Sequence, residues 1–441
     1  MAALLVAVPL LACGRGGSPR PDVVVVTLDT TRADHLGAYG YERPTSPNLD
    51  AQAAHSIVYD NAYSTSSWTL PAHASLFTGK YPTSHGVRHD PEGALVLASA
   101  IRVPEGIRAR GLAAEEVTLA EALSRAGYAT GAVVAGPWLL RVFGFDAGFD
   151  HYDDSGIVNN AGRTAESVTD AALDWLASLE GEERPPFFLF LNYFDPHAPY
   201  WPPPVYRRTF LPPGVEPNVH GQRQAIDLYD AEILYMDRQL GRLLDGLRES
   251  GAYRDTLIVV TADHGELFGD HGDWGHERYL WQELVRIPLI VKLPGGARPA
   301  QRISVPAQLV DVLPLVLDLA GVAAPDGVQG GVPPTDRPVL AEVHPIDPGS
   351  GTGSWRAQWD GDTKFMWNTL GERYLFDLGR DPRERENLVE RQPELARRAE
   401  ARLHETFAGL PPPPSDGAGS VEIDEATQKA LRELGYLGDP P

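Results

Sequence analysis

Runs of apolar residues without polar alternation recur along the chain, separated by segments with the periodicity of amphipathic helices. The clearest runs are 23–28, 187–191 and 257–261, and β-branched or aromatic residues dominate them. Such runs are typical of strands that are buried on both faces, as in a parallel sheet. Strands that alternate with helices predict an α/β fold with a mostly parallel central sheet flanked by helices.

Helix boundary signals lie between these runs. Ser46 and Pro47 suit the N-cap and the first turn of a helix. Thr118 and Glu121 have the spacing of a capping box, and the helix that they begin should end at Gly127. Periodicity also predicts helices over 164–179, 226–247 and 308–319, and strands over 128–134 and 287–293.

The pattern changes near Ala323, where Pro, Gly and Asp cluster and indicate a linker over 323–336. Beyond it, short runs with turn signals predict an antiparallel meander of strands over 339–343, 354–359, 363–367 and 374–378. Helices should follow over 393–407 and near 425–434. The chain is therefore divided into a main domain, 22–322, and a small C-terminal subdomain of antiparallel sheet plus helix, 337–441.

Two further segments do not fit the α/β alternation. Residues 90–115 have poor periodicity, which indicates a surface insertion. Residues 1–12 have the length and apolar content of a signal peptide, and with Cys13 their last residues form L-L-A-C, which resembles the bacterial lipobox. Cys13 would then carry a lipid, and 13–21 would form a flexible tether. No Lys or Arg precedes the apolar run, so a chance hydrophobic N-terminus is the alternative.

Composition narrows the possible partners and the location of the protein. The chain has 441 residues and a formal charge of −22, which argues against nucleic acid or an anionic membrane face as a partner. An anionic small substrate remains compatible, because a metal can reverse the local field. With a single cysteine, no intrachain disulfide forms. We expect an exported bacterial lipoprotein, periplasmic or at the cell surface, attached to the membrane by its N-terminal lipid only.

Polar residues follow two of the predicted buried strands. Asp29 comes after the first strand, and Asp263 and His264 come after the strand at 257–261. Ligands of open parallel sheets bind at the carboxyl ends of the strands, so these side chains should meet there. Carboxylates with an imidazole suit Zn, Mn, Mg or Ca. The alternative is that Asp29 caps a helix and His264 fills a loop.

A candidate nucleophile lies in the segment S-T-S-S-W-T-L-P-A-H-A-S-L-F-T-G, residues 64–79. Pro71 suits the first turn of a helix that ends at Gly79, which places Thr69 at the helix N-terminus. The free N–H groups there stabilise an anion. A hydroxyl that is also bound to a metal loses its proton more readily and can attack phosphorus or sulfur. The alternative is that Thr69 is only an N-cap.

These segments together resemble the sulfatase family of the alkaline phosphatase superfamily. V-V-V-V-T-L-D-T-T-R-A-D-H-L-G-A-Y-G is similar to its first metal segment, and T-L-P-A-H-A-S-L-F-T-G to its C-x-P-S-R-x-x-L-x-T-G signature. T-A-D-H-G-E-L-F-G-D-H-G-D-W-G-H resembles the second metal segment. The resemblance runs from about residue 21 to the C-terminus and implies an alkaline-phosphatase-like fold and ester hydrolysis.

Several positions depart from the family pattern. Thr69 stands where sulfatases have the Cys or Ser that matures to formylglycine, and threonine cannot mature in that way, so no formylglycine is expected. His73 stands where the signature has Arg, and Thr30 replaces a second Asp. The K-x-H segment expected after the third strand is absent. Asp29, Thr69 and the pair Asp263-His264 resemble the metal ligands of phosphate-transferring relatives that use threonine.

The resemblance also implies roles for further residues. His197 should contact anionic oxygens or the leaving group, although an imidazole packed against Tyr200 and Trp201 is the alternative. His276 falls where many relatives carry a substrate-binding Lys. His271 is a further candidate ligand, for which we favour a turn role, and Asp195 should orient a neighbour rather than bind metal.

The resulting hypothesis is a metal-dependent hydrolase of sulfate, phosphate or phosphonate esters that acts through a covalent intermediate on Thr69. The alternatives are a phospho-group transferase of the phosphoethanolamine or glycerophosphate type and a non-catalytic lipoprotein that binds anionic esters. The partner would be an anionic ester of a small molecule, a glycan or a lipid head group. The candidate catalytic residues are Thr69, His197, His276 and His73, and the candidate metal ligands are Asp29, Asp263, His264 and Thr69.

Overall fold

The computed structural model describes residues 20–96, 107–157, 162–179, 181, 184–296, 299–344 and 353–414. The predicted signal peptide, Cys13 with most of the tether, and the helix near 425–434 lie outside the described residues. The predicted insertion at 90–115 is described only in part, as an antiparallel ribbon. Among the described helices, none has the length and apolar content needed to cross a membrane.

The described elements follow one another in the expected alternation. The strands are β1 (Asp22–Leu28), β2 (Ile57–Tyr59), β3 (Ala62–Tyr63), β4 (Arg88–Val96), β5 (Ile107–Arg110), β6 (Ala129–Val133), β7 (His151–Asp153), β8 (Phe187–Tyr193), β9 (Thr256–Thr261), β10 (Leu267–Phe268), β11 (Trp274–Gly275), β12 (Arg286–Ile287), β13 (Leu289–Lys292), β14 (Gln301–Ile303), β15 (Ala307–Gln308), β16 (Val339–Val343), β17 (Trp355–Asp360), β18 (Thr363–Asn368) and β19 (Arg373–Asp377). The helices are α1 (Pro47–Ala53), α2 (Thr69–Thr78), α3 (Pro82–His85), α4 (Leu119–Arg125), α5 (Ala165–Ser178), α6 (Ala225–Glu249), α7 (Gln282–Val285), α8 (Val312–Leu319) and α9 (Pro393–Ala408).

The central sheet has the strand order β14-β2-β13-β9-β1-β8-β6-β7. Its neighbouring strands run parallel, except that β13 is antiparallel to both β9 and β2. In the middle of the sheet, Val25 of β1 pairs with Phe190 of β8 on one side and with Val259 of β9 on the other. The prediction of a mostly parallel α/β sheet is confirmed.

Helices cover both faces of this sheet, which explains why β1 is apolar at successive positions. Val23 and Val25 pack in a cluster with residues of α2, α4 and α8, whereas Val24 and Val26 pack in a second cluster with residues of α1, α5 and α6. Each residue of β1 is therefore buried against one helical layer or the other. Thr118 forms the predicted capping box with Glu121 at the start of α4.

The C-terminal part is a four-stranded antiparallel sheet, β16-β17-β18-β19, joined by α9. This small antiparallel sheet with its helix is confirmed as predicted. Trp281, from the main part of the chain, packs against Tyr374 and Phe376 of β19. The C-terminal sheet therefore holds the segment that follows the candidate site.

The strand predicted over 287–293 is divided in two. Pro288 separates β12, which pairs with β3, from β13, which lies in the central sheet. A proline has no N–H to donate to a sheet ladder, so the break falls at this residue. The sequence pattern showed one apolar run and could not show that its two parts pair with different sheets.

Candidate active site

The candidate site lies at the carboxyl ends of β1 and β9, which are adjacent parallel strands. The paired register ends at Thr27 opposite Thr261, so Asp29 and Asp263 leave the sheet at the same edge. Both carboxylates are almost fully buried. The two segments that are far apart in sequence therefore meet as the strand pattern predicts.

Asp29, Asp263 and His264 form a group with the geometry of a cation site. Each residue offers one ligand atom, and these atoms all lie within 4.8 Å of one another. No described residue donates a hydrogen bond to either carboxylate oxygen of Asp29 or to Oδ2 of Asp263. Burial and the neighbouring Asp263 raise the pKa of Asp29 well above its ordinary value. Buried oxygens without donors fit a divalent metal ion, which would neutralise both carboxylates.

The tautomer of His264 also suits metal binding. Its Nδ1 lies 2.9 Å from the carbonyl oxygen of Gly265, so Nδ1 carries the proton and Nε2 has a free lone pair. Burial lowers the pKa of His264, which keeps the ring neutral. Asp263 is fixed in turn, because its Oδ1 accepts the backbone N–H groups of His264 at 2.8 Å and Thr30 at 3.2 Å.

Thr69 is the first residue of α2 and is fully buried. Its Oγ1 lies 3.2 Å from Nε2 of His264. The N-cap of α2 is Trp68, which makes no side-chain capping bond, so the Thr69 hydroxyl faces the metal-ligand group instead of capping the helix. The helix ends at Thr78 and is capped by Gly79, whose φ of +65° is the left-handed conformation that glycine adopts readily.

His73 lies one helical turn beyond Thr69, and both of its ring nitrogens are engaged. Nδ1 donates to the carbonyl oxygen of Thr69 at 2.9 Å, and Nε2 lies 3.0 Å from Oγ1 of Thr27. Burial lowers the pKa of His73. The structure therefore places His73 beneath Thr69, where it can support the start of α2 but presents no nitrogen to a substrate.

His197 and His276 flank the metal-ligand group. The His276 ring centre is 4.5 Å from that of His264 and 5.1 Å from that of His197. His197 donates Nδ1–H to the carbonyl oxygen of Ala198 at 2.7 Å, which leaves Nε2 free. Burial, with His276 nearby, lowers the pKa of His197 to about 4, so this ring is a neutral acceptor at pH 7.

Glu266 is a site residue to which the sequence pattern assigned no role. The side chain is fully buried, and its Oε1 lies 3.0 Å from Nδ1 of His276. Burial disfavours the charged imidazole, but the Glu266 carboxylate, with that of Glu277 at 3.5 Å from Nε2, outweighs this and raises the pKa of His276 well above its ordinary value. A glutamate three residues after a predicted metal-binding aspartate is a signal that could have identified it.

Two further candidates lie outside the metal-ligand group. Asp195 is half-buried and accepts the backbone N–H of Ala165 at 3.1 Å, which anchors the loop that carries His197. His271 occupies a left-handed turn position with a φ of +54°. Its ring stacks on Trp281 at 4.1 Å and its Nε2 lies 3.1 Å from Oε2 of Glu283.

Sequence comparison gives a family match for most of the chain. The family model described as Sulfatase matches residues 21–322. An ulvan-active sulfatase of Formosa agariphila is 26% identical, with 89% of this chain and 82% of the relative covered. A choline-sulfatase of Rhizobium meliloti is 27% identical, with 84% of this chain and 83% of the relative covered.

Structural comparison gives the same fold. A phosphonate monoester hydrolase of Agrobacterium radiobacter superposes with a TM-score of 0.70 at 20% identity, over 88% of this chain and 96% of that one. A phosphonate monoester hydrolase of Silicibacter pomeroyi superposes with a TM-score of 0.67 at 20% identity, over 92% and 97% of the two chains. At 20% identity, these superpositions show that the chains share a fold.

Proposed function

The chain belongs to the sulfatase family and is an ester hydrolase of the sulfatase type, and on this premise we propose that Thr69 is its nucleophile. The proposed substrates are phosphonate or phosphate esters, which we expect to be cleaved faster than sulfate esters. The observation that carries the proposal is the contact between Oγ1 of Thr69 and Nε2 of His264 at 3.2 Å, inside a buried group of unpaired carboxylates.

Asp29, Asp263, His264 and the oxygen of Thr69 are the residues that would hold a divalent metal ion. A bound ion would supply a Lewis acid that stabilises the Thr69 alkoxide and polarises an ester oxygen. The orphaned oxygens of Asp29 and Asp263 support this assignment. The donor set accepts Zn, Mn, Mg or Ca and does not select among them.

In the first step, the Thr69 alkoxide attacks phosphorus and forms a new O–P bond while the bond to the leaving alcohol breaks. The protonated His276 donates its proton to the departing alkoxide, a general-acid role for which its charged state at neutral pH is suited. His197 is neutral at pH 7, so its free Nε2 next to His276 can accept a hydrogen bond from the attacking water of the second step and does not bind the anionic ester oxygens. The product of this step is a phosphorylated or phosphonylated Thr69.

In the second step, water attacks the same phosphorus atom. His276, now neutral, accepts a proton from that water as the new O–P bond forms and the bond to Thr69 breaks. Thr69 returns as an alkoxide, and His276 regains its positive charge. The sum is hydrolysis of one ester bond by one water molecule.

The preference for phosphorus over sulfur follows from the nucleophile. Sulfatases that use formylglycine release sulfate when the hydrated aldehyde collapses, and threonine has no such route. A sulfated Thr69 must instead be hydrolysed by direct attack of water. We therefore expect slow turnover of sulfate esters.

The experiment is a panel of aryl phosphonate, aryl phosphate and aryl sulfate substrates, assayed with each of the four metals. Wild type should turn over a phosphorus ester, and mass spectrometry of a rapid acid quench should place the adduct on the peptide that contains Thr69. Undiminished turnover by Thr69→Ala would reject Thr69 as the nucleophile. Absence of turnover with every metal, but with ligand binding, would favour the anionic-ester-binding alternative.

We also propose export and attachment through a lipid on Cys13, with an anionic ester of a small molecule, glycan or head group as substrate. Relatives include an ulvan-active sulfatase and an N-acetylglucosamine-6-O-sulfatase, which supports a glycan ester among these. Fractionation of cells that express wild type or Cys13→Ser tests the anchor. Equal membrane association of the two proteins would reject it.

A further inference from the structure

Three segments converge on one buried carboxylate next to the candidate catalytic histidine. Glu266 lies between β9 and β10, His276 follows β11, and Tyr200 comes from the loop after β8. Oε1 of Glu266 lies 3.0 Å from Nδ1 of His276, and Oε2 accepts the hydroxyl proton of Tyr200 at 2.9 Å. The two oxygens of one carboxylate therefore join the β8 loop to the β10–β11 hairpin.

The backbone around Glu266 is also held in place. Arg32 donates from Nη1 to the carbonyl oxygen of Glu266 at 3.1 Å and to Oδ2 of Asp270 at 3.0 Å. On the other side of His276, the backbone N–H of Glu277 donates to the carbonyl oxygen of Ser67 at 2.9 Å, two residues before Thr69. His276 is thus fixed on both sides, by Glu266 through its ring and by the Ser67 contact through its backbone.

We propose that Glu266 is a positioning residue that, together with Tyr200, fixes the ring orientation of His276 beside His264. This inference rests on the proposed function, and it adds a carboxylate–histidine pair that acts on the ester through His276. Without the Glu266 carboxylate, the ring of His276 can rotate, and its Nδ1 can donate to a different acceptor. A displacement of about 1 Å at a reacting group lowers rate constants by up to about 100-fold.

A role of Glu266 in positioning His276 can be distinguished by experiment from a role in supporting the fold. In the fold-support case, Glu266→Gln lowers activity by the same factor whether or not His276 is present. In the positioning case, the effect of Glu266→Gln disappears once His276 is replaced, because the residue through which it acts is gone. A double-mutant cycle distinguishes these cases.

The experiment compares wild type, Glu266→Gln, His276→Gln and the double variant, each loaded with metal and checked for metal content and thermal midpoint. With an aryl phosphonate substrate, Glu266→Gln should lower kcat about 10- to 100-fold with little change in KM. In the His276→Gln background the same substitution should change kcat by no more than about two-fold. Tyr200→Phe should lower kcat by a smaller factor, and this loss should also disappear in the His276→Gln background.

Glu342→Gln is the matched control. Glu342 is also a buried glutamate bound by a hydroxyl, that of Thr83 at 2.7 Å, but it lies outside the candidate site. Glu342→Gln should lower the thermal midpoint, and it should change kcat by the same small factor in the wild-type and His276→Gln backgrounds. Equal kcat losses from Glu266→Gln in both backgrounds, as for this control, would overturn the positioning role.

A binding measurement keeps the inference separate from the proposed hydrolysis. The same four proteins are titrated with inorganic phosphate as the probe, in the presence of the metal. Glu266→Gln should weaken phosphate binding in the wild-type background and leave it unchanged in the His276→Gln background. If this binding pattern is found but no ester is turned over, the proposed hydrolysis is rejected and the positioning role is supported. If Glu266→Gln weakens phosphate binding by the same factor with and without His276, the positioning role is rejected.

Discussion

Oγ1 of Thr69 lies 3.2 Å from Nε2 of His264, although the two residues are 195 positions apart in the chain. The helix start that carries Thr69 and the strand end that carries His264 belong to different layers of the fold. Their contact is made inside the buried group of Asp29, Asp263 and His264. The position of Thr69 is therefore set by the ligand group and not by a need to cap α2.

The first prediction compares two threonines at helix starts. Thr69→Ala should abolish phosphorus-ester turnover and change the free energy of unfolding of the metal-free protein little, because Thr69 caps nothing. Thr118→Ala should leave kcat/KM unchanged and lower the free energy of unfolding by about 1 kcal/mol, since Thr118 accepts the N–H of Glu121 at 3.0 Å. Urea unfolding and steady-state kinetics measure both. The reverse pattern would contradict the assignment of Thr69.

The second prediction concerns the metal ligands. Asp29→Asn should weaken divalent metal binding by more than about 100-fold, because one of the charged ligands is lost. In the metal-free protein the same change should raise the free energy of unfolding by on the order of 1 kcal/mol, since it removes a carboxyl group whose charge is opposed first by burial and then by the neighbouring Asp263. Calorimetric titration with metal and urea unfolding in chelator give the two values. A metal-dependent rise in the thermal midpoint of Asp29→Asn equal to that of wild type would contradict the site.

The third prediction is a pH dependence of stability from Glu266 and His276. The pKa of His276 is raised in the fold, so its contribution is fully present below about pH 6.5 and is lost as pH rises through the folded pKa. Burial opposes the charge of Glu266, but His276 outweighs it and lowers that pKa, so the contribution of Glu266 is lost as pH falls. The contribution of Glu266 is fully present above about pH 4.5 and that of His276 below about pH 6.5, so the stability difference between metal-free wild type and Glu266→Gln should be largest between these two pH values.

Urea unfolding across pH measures this difference, and NMR of the imidazole of His276 follows its titration directly. In Glu266→Gln the ring should titrate at lower pH than in wild type. A stability difference that stays constant from acidic to alkaline pH would show that the two side chains are not coupled.

The fourth prediction concerns a buried ion pair within the C-terminal subdomain, next to the segment that follows His276. Nζ of Lys364 lies 2.5 Å from Oε1 of Glu384, and both side chains are fully buried. Lys364→Met should lower the free energy of unfolding by about 3–5 kcal/mol, because Glu384 is left buried and unpaired. Lys364→Met combined with Glu384→Met should recover most of this loss.

The exposed pair of Arg402 and Asp360 is the control, since Asp360→Asn should cost less than about 1 kcal/mol. The activity of Lys364→Met should also fall, because Lys364 donates to the carbonyl oxygen of Leu280 at 2.5 Å, close to His276 in the chain. Retention of full activity and stability in Lys364→Met would show that the C-terminal sheet does not fix this segment.

Local patterns were sufficient for much of the fold. The buried strand β1, the capping box at Thr118 and the meander β16–β19 follow from residue type and spacing over a few positions. The strand ends at Asp29 and Asp263 could be placed at one edge because parallel strands share a direction. Pro288 was visible in the sequence, but its effect on β12 and β13 depends on which strands lie beside them.

The sequence by itself determined the α/β architecture, the strand ends that carry the carboxylates and the helix start that carries Thr69, because these depend on short-range pattern. Only the tertiary structure decided that both nitrogens of His73 are used beneath Thr69 and that Glu266 holds His276. These assignments depend on distances of about 3 Å between residues from separate segments, and hydrogen bonds change over a few tenths of an ångström. The sequence pattern carries no information about distances at that scale. The packing of the sheet and its loops sets these distances.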